Sequence, residues 1–416
     1  MYASTLGWKT KKEFPKSEES KNAKLLIKAG FIDKVGAGIY SFLPLGTRVL
    51  SRIIEAVRKQ MNAVDGAEIL MPGLHPKDYW AQTERWETFK ALFKLKSRYG
   101  PEFALGPTHE EIIVPLAKNL ISSYKNLPLY LYQIQTKFRD EPRPKSGLLR
   151  GREFLMKDLY SFHTSAEDLQ NYYEKVKKAY LQLAKVFELE AIVTEASGGT
   201  FSKYSHEFQV PCQTGEDTIF VCQSCKFARN KEIIKGTLKK CPKCQSKKIE
   251  KLLSIEIGNI FQLGTRFSQP FDLSFIDKKG KKNLVVIGCY GFGISRVLGA
   301  LAEVKSDSNG LIWPKSVAPF LIYLTSLESK NQKINQKISQ FTKEVYQYLL
   351  KNRVEVLFDN RPLSAGEKFF DSDLSGIPYR VVISEKTLKN KQVEVKDRKI
   401  RKIEIVNLAN LVKKVK

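Results

Sequence analysis

Acidic side chains are scarce in this chain: 44 Asp and Glu stand against 70 Lys and Arg over 416 residues, a formal net charge of +26. A surplus of that size favours a polyanionic partner, with binding that weakens as salt rises. A genome-wide lean toward Lys, Ile and Asn is the other source of such a surplus, and the two are compatible. Long apolar runs are missing. No stretch approaches the roughly 20 apolar residues of a membrane span. Met1 to Lys12 is basic but has no apolar core, which excludes a secretory signal and leaves a short organellar presequence open. Cytoplasmic placement is the expectation. There is no internal repeat and no low-complexity tract. Histidine occurs only four times, and for each histidine an ordinary packing role stands beside any functional one.

What is present fits two or three domains, and 42% hydrophobic residues with 24 Phe can fill sizeable cores. Within Leu43 to Pro72, apolar Leu50, Ile53, Ile54, Val57 and Met61 recur at helical spacing ahead of a strand that ends at Pro72. Tyr130 to Arg139 alternates as a strand does, and Gly151 to Lys157 reads as its returning partner. The loop between them carries Pro142, Pro144 and Gly147. Asp168 to Phe187 reads as a surface helix. Leu284 to Ile287 reads as an apolar strand, and Gly291-Phe292-Gly293 turns into a helix through Val297 and Leu301. After Trp313-Pro314 the pattern becomes strand, helix, strand over 320–358, with later strands at Tyr379 to Ile383 and Val393 to Val395. A separate α/β domain therefore starts near Val317.

Two groups of residues carry chemistry. Phe138-Arg139-Asp140-Glu141 and Arg150-Gly151-Arg152-Glu153-Phe154 place permanent guanidinium charges beside carboxylates and an aromatic ring, and Gly291 to Arg296 adds a distant arginine behind two glycines. Guanidinium grips carboxylate or phosphate oxygens in pairs and cannot lose its charge. The second group is Cys222-Gln223-Ser224-Cys225 and Cys241-Pro242-Lys243-Cys244, a C-x2-C-x15-C-x2-C spacing. Two thiol pairs on tight knuckles can hold one tetrahedral Zn²⁺. Disulfides or another soft metal are the alternatives. Four thiolates leave no open coordination position, so the reading is structural zinc. Cys289 sits at the end of an apolar strand and reads as a buried thiol.

The arginine words resemble motifs 2 and 3 of class II aminoacyl-tRNA synthetases. The flanking words narrow the resemblance to the bacterial and organellar prolyl-tRNA synthetases. They are Gly38 to Gly46, Gly106-Pro107-Thr108-His109-Glu110-Glu111, Met156 to His163, Ser205-His206-Glu207-Phe208 and Phe358-Asp359-Asn360-Arg361. The resemblance runs from about Leu25 to the end. It implies an α/β fold: a catalytic antiparallel sheet flanked by helices, interrupted by a small zinc-ribbon-like insert and followed by an α/β anticodon-binding domain. The expected pieces are 1–217 (catalytic, motifs 1 and 2), 218–255 (four-cysteine insert), 256–316 (catalytic, motif 3) and 317–416 (anticodon binding). The partners implied are ATP with Mg²⁺, proline, tRNA(Pro) and a second copy in a homodimer, for which the helix before Pro72 would be motif 1. An amphipathic core helix is the alternative there.

By the same resemblance, Arg139 bridges the substrate carboxylate and the α-phosphate, and Arg296 holds the γ-phosphate. Phe154 stacks on adenine, Glu141 accepts from its amino group, and Arg150 or Arg152 holds the outer phosphates. Thr108 and Glu110 receive the proline amine. Asp158, Tyr160 and His163 line the pocket floor, and His206 and Glu207 lie near the ring or amine. Packing is the equal alternative for His163 and His206. Glu256 and Asn259 resemble a metal-and-ATP element, with Glu256 on Mg²⁺ or merely hydrogen-bonded in a strand, and Gln262 and Thr265 reach the ribose or adenine. Arg361, Lys396 and Arg398 face RNA. A synthetase for another amino acid such as threonine, or a catalytically silent RNA-binding relative, are the competing readings.

One departure stands out. Relatives of this type usually carry a large editing domain between motifs 2 and 3, whereas here only 38 residues (218 to 255) are available, too few for an independent hydrolytic domain. No clearance of alanyl-tRNA in cis is expected. The insert is basic, with ten Lys/Arg from Cys222 to Lys251 against Glu232 and Glu250. It touches the tRNA acceptor stem or is simply a solvated face. The tail from Lys386 to Lys416 is basic as well.

Overall fold

The computed structural model describes residues 1–144, 146–199, 201–202, 204–236 and 238–415; Lys416, the last residue of the basic tail, lies outside them. The chain forms two compact units. One consists of Gly36–Ile39 and Ile53–Ala300, the other of Met1–Val35, Tyr40–Arg52 and Leu301–Lys416. The N-terminal residues thus group with the C-terminal ones, whereas the sequence reading placed 1–217 in one catalytic piece. The reason is local: the Met1 ammonium donates to the Val356 carbonyl (3.0 Å), Thr10 Oγ1 to Asp371 (2.5 Å), and the Arg361 guanidinium sits 4.6 Å from the Trp8 ring centre.

The first unit is built on a nine-stranded sheet. Its order across the sheet is Tyr204–Pro211, Ile192–Ser197, Ala228–Asn230, Asp217–Cys222, Ile249–Gly264, Val286–Gly293, Glu153–His163, Leu129–Phe138 and Ala67–Glu68. Pairings are antiparallel except Ala228–Asn230 on Ile192–Ser197 and Ala67–Glu68 on Leu129–Phe138. The hairpin expected around 130–157 is present, in a register that sets Lys137 opposite Phe154 and Gln133 opposite Asp158. The four-cysteine segment is no separate body, because Asp217–Cys222 and Ala228–Asn230 are strands of this same sheet.

One face of the sheet is covered by the helix Ala166–Val186, capped by Ser165, whose side chain accepts from the Asp168 N–H. Leu169, Tyr172, Tyr173, Val176, Tyr180 and Leu183 recur at helical spacing and are buried. The Tyr180 ring packs 4.9 Å from Phe208 and 5.1 Å from Phe292. The opposite face carries a second core of Met71, Ile113, Leu131, Tyr160, Phe162, Phe267, Ile287 and Cys289. Side chains alternate between these faces with period two, and this alternation decides which residues can meet at the site.

In the second unit a five-stranded sheet runs Val356–Asp359, Ile322–Ser326, Tyr379–Ile383, Val393–Asp397, Ile403–Val406, the first three parallel and the rest antiparallel. The helix Gln332–Lys351 supplies the crossover that the strand–helix–strand pattern predicts, and Ala365–Ser375, which that pattern did not include, supplies the next one. Gly376 ends the second of them at φ +71°, and a Cβ there would lie 2.5 Å from the Leu311 backbone; only glycine fits that turn.

Candidate active site

A cavity of about 240 Å³ in the first unit is lined by Arg139, Arg150 and Arg296 together with Glu141, Glu216, Asp217 and Glu256. Arg139 follows the end of Leu129–Phe138, and its backbone N–H donates to the Arg152 carbonyl (2.8 Å). Its guanidinium lies over the Phe154 ring at 5.1 Å. Arg296 comes from the first turn of Ile294–Val304, and its Nη1 donates to both the Glu256 backbone carbonyl and Oε2 at 3.0 Å. Burial and the Arg296 charge lower the Arg139 pKa; the two cations feel each other. Arg150 donates to Glu141 Oε2 (2.9 Å), whereas Arg152 holds the Glu141 backbone carbonyl (3.1 Å) and does not line this cavity.

Glu256 owes its position to a bulge. Glu207 pairs with Asn259 and Gln209 with Glu256, so Ile257 is extra and Glu256 and Asn259, three apart, share a face. Glu207 gathers the side-chain amides of Gln209 (2.8 Å), Asn230 (3.0 Å) and Asn259 (3.4 Å). Burial and the Glu256 charge push its carboxyl up to about 8. Burial also raises Asp217.

Nearby on the same sheet face is a buried polar floor. Glu110 accepts from Thr108 Oγ1 (2.5 Å) and from the Cys289 thiol (3.3 Å). Asp158 accepts from Tyr160 OH (3.0 Å) and Gln133 (3.0 Å) and pairs with the fully buried Lys137 at 2.8 Å. Lys137 in turn meets His109 Nδ1 at 2.7 Å. Arg85, 3% exposed, donates to Glu111 (2.8 Å) and lies 3.5 Å from Glu110, with the rings of Trp80, Phe89, Phe201 and Phe267 around it. Burial pushes the Glu111 carboxyl up to about 7. The sequence reading missed Arg85, Lys137, His109, Glu216 and Asp217. For Lys137 a signal existed, since it is two residues before Arg139 on a strand and so shares its face.

Several expected residues are placed elsewhere. His163 lies on the helix face, held by Ser161 and Asp168 at 2.8 Å, because it is odd-numbered on a strand whose even members Asp158 and Tyr160 face the site. His206 is likewise opposite to Glu207 and bonds Tyr173 OH (2.7 Å). Gln262 donates to Gln170 of the covering helix (2.5 Å), and Thr265 is exposed in the turn after its strand. In the second unit Arg361 pairs with Asp359 and Asp371, Lys396 with Asp373, and Arg398 with Asp307; these cations are already engaged.

The four thiols of Cys222, Cys225, Cys241 and Cys244 lie within 4.8 Å of one another, and Cys222–Cys244 and Cys225–Cys241 are each 3.6 Å apart. That is too long for a disulfide and close to the roughly 3.8 Å edge of a tetrahedron with Zn–S near 2.3 Å. The donor set fits a closed tetrathiolate site. Backbone N–H groups push the Cys222 thiol down to about 6, while the neighbouring thiols push Cys244 up.

A family model described as the tRNA synthetase class II core domain (G, H, P, S and T) matches residues 93–305, and an anticodon-binding-domain model matches 322–416. Curated proline–tRNA ligases are similar over their full length. The one from Syntrophomonas wolfei is 31% identical over all of this chain and 99% of its own, and the one from Persephonella marina 33% over 96% and 97%. Among solved structures, Giardia lamblia prolyl-tRNA synthetase with prolyl-adenylate superposes at TM-score 0.78 with 22% identity, covering 93% of this chain and 74% of that one. The Cryptosporidium parvum enzyme with L-proline and AMP gives 0.77 with 17% identity over 95% and 76%. These establish a class II synthetase core joined to an anticodon-binding domain. The chain belongs to the proline–tRNA ligase family and is an ATP-dependent aminoacyl-tRNA ligase.

Proposed function

We propose that the enzyme activates proline with ATP, expelling pyrophosphate, and transfers the prolyl group from the adenylate to the 3′-terminal ribose of tRNA(Pro). The observation that carries this is the shared cavity of Arg139 and Arg296 on the same sheet face as Thr108 and Glu110. Attack of the proline carboxylate on the α-phosphate gathers negative charge on phosphorus oxygens, and permanent cations in a half-dry cleft stabilise it. Arg139 bridges carboxylate and α-phosphate, Arg296 the outer phosphate, and Arg150 assists. Phe154 stacks adenine while Glu141 accepts from its amino group. Glu110 and Thr108 take the secondary ammonium, and Asp158 and Tyr160 close the floor. Each arginine now rests on a carboxylate or carbonyl, so nucleotide binding exchanges one oxygen partner for another. Glu256 would hold Mg²⁺, which neutralises phosphate charge when bound. Transfer needs no protein nucleophile, since the adenylate phosphate can serve as base and positioning does the rest.

A structural zinc in the tetrathiolate and a cytoplasmic homodimer complete the reading. Of the stripe Leu50, Ile53, Ile54, Val57 and Met61, Ile53, Val57 and Met61 are fully buried within the chain and Leu50 and Ile54 are half-buried; the dimer contact is placed instead at the sheet edge at Ala67–Glu68, where Leu70 is 77% exposed. RNA contact by Arg361, Lys396 and Arg398 would require their acidic partners to be displaced. The test is amino-acid-dependent pyrophosphate exchange across the twenty amino acids. Proline is expected to dominate with alanine faint. Exchange with threonine instead, or with none, would overturn the assignment.

A further inference from the structure

Ser205-His206-Glu207-Phe208 splits across the sheet: Glu207 joins the site face and His206 opens on the opposite one. There His206 lines a second cavity, of about 530 Å³, with Lys177, Glu195, Phe227, Arg229, Pro242 and Lys243. We propose that this pocket, formed where the four-cysteine insert meets the helix face of the sheet, is a second binding site that takes a backbone phosphate of the substrate tRNA.

The walls come from four places: the helix Ala166–Val186 (Lys177), the strand Tyr204–Pro211 (His206), the first knuckle strand (Arg229) and the second cysteine knuckle (Lys243). Cationic groups therefore converge from elements distant in sequence. Glu174 holds Lys177 (2.5 Å) and Glu195 holds Arg229 Nε (2.8 Å), which orients both cations and leaves the Arg229 terminal nitrogens for a ligand. Lys243 has no carboxylate partner among the described residues. The surrounding insert has ten basic residues and two acidic ones between Cys222 and Lys251, so the local field favours a polyanion.

Hydrogen bonding assigns a role to His206. Tyr173 OH lies 3.1 Å from the Ile260 carbonyl, to which only it can donate, and 2.7 Å from His206 Nδ1. The hydroxyl hydrogen goes to the carbonyl, so Nδ1–H donates to the tyrosine oxygen and Nε2 is left for the cavity. Burial and Lys177 favour the neutral ring; Glu195 and Glu174 oppose them. An anion in the pocket adds its charge to those carboxylates and draws a proton onto Nε2, making a charge-assisted donor. A phosphodiester uses this arrangement fully. An acidic protein segment would use it in part and is an outcome the test separates.

This inference rests on the tRNA ligase reading, and two assays keep the two apart. In the full-length enzyme, Lys177→Ala/Lys243→Ala should keep proline-dependent pyrophosphate exchange, which involves no tRNA, within about twofold. Its KM for tRNA in aminoacylation should rise about tenfold near 0.1 M salt. The slope of log KM against log salt should fall by about one for each phosphate no longer neutralised. His206→Gln, a second and milder variant, should abolish the tightening of tRNA binding as pH falls from 7.5 to 6. A tRNA KM, salt slope and pH dependence all unchanged would overturn the site, as would unchanged tRNA behaviour combined with weakened binding of polyglutamate. Failure of the unmodified enzyme to exchange pyrophosphate with proline would bring down the ligase reading instead.

Discussion

In the proposed mechanism the one guanidinium of Arg139 serves two anions, and its surroundings suit it to that. Phe154 supports its face and the Pro107 carbonyl lies 3.4 Å from its Nε and Nη2, while no carboxylate holds it within ion-pair distance among the described residues. Arg296, by contrast, is held by Glu256. Arg139→Ala should lower proline-dependent pyrophosphate exchange by about 10²–10³-fold, the range for removing one transition-state donor. Circular dichroism should be unchanged; near-normal exchange would remove Arg139 from the role given to it. A different residue, Lys157, contributes to the pH dependence of stability. Lys157 is fully buried, donates to the Tyr290 carbonyl (3.0 Å) and to Tyr180 OH, and burial pushes its pKa down to about 7. The unfolded chain then binds one more proton than the folded chain between pH 7 and the ordinary lysine range near 10.5. Stability is therefore highest above that range and lost as pH falls toward 7, by at most about 1.4 kcal/mol per pH unit. Thermal melts of Lys157→Met against wild type over pH 6.5–9.5 should show a flatter profile in the variant. Parallel profiles would mean that Lys157 stays charged.

At the scale of elements, the four-cysteine segment is a staple on the main sheet. Ala228–Asn230 has only a three-residue ladder on Asp217–Cys222, and a metal held by the four thiols would tie this end of the sheet to the 241–244 knuckle. About one zinc per chain is expected by metal analysis. Cys241→Ser should lose it, expose 222–248 to protease, and lower the melting temperature by several degrees as the metal's folding contribution goes; full zinc retention in that variant would refute tetrathiolate binding. The tetrad was legible because thiol spacing is local, and so were the hairpin, the long helix and the strand–helix–strand of the second unit, all set by periodicity over a dozen residues. What failed was parity. His163 and His206 were grouped with Tyr160 and Glu207 by nearness in sequence, but one residue along a strand reverses the face. Glu256 and Asn259 violate that alternation, and only the extra residue at Ile257 puts them together; no local pattern announces a bulge. Arg85 was out of reach for another reason: it meets Glu111 across 26 residues and two intervening strands, and an isolated arginine beside a tryptophan carries no spacing signal.

At the scale of the whole molecule, length itself is the informative quantity. Aligned with the Syntrophomonas wolfei ligase, the chain spreads over 567 positions, 151 more than its own 416 residues, although both proteins are covered almost completely. The relative therefore carries material that this chain omits. Between Asp217 and Glu256 the described residues form two short strands, a 3-10 turn at Lys231–Ile233, two cysteine knuckles and the start of one long return strand. We propose that discrimination rests on the synthetic pocket alone. One methylene in such a pocket is worth roughly 1–3 kcal/mol, a factor of about 10–200. Alanine should thus give measurable pyrophosphate exchange at a small fraction of the proline rate. Alanyl-tRNA(Pro), once formed, should persist when the purified enzyme is added. The decisive measurement follows deacylation of preformed alanyl-tRNA(Pro) with and without enzyme: equal rates are expected, and clearance well above the spontaneous rate would show that hydrolysis resides on a surface of the sheet or its insert.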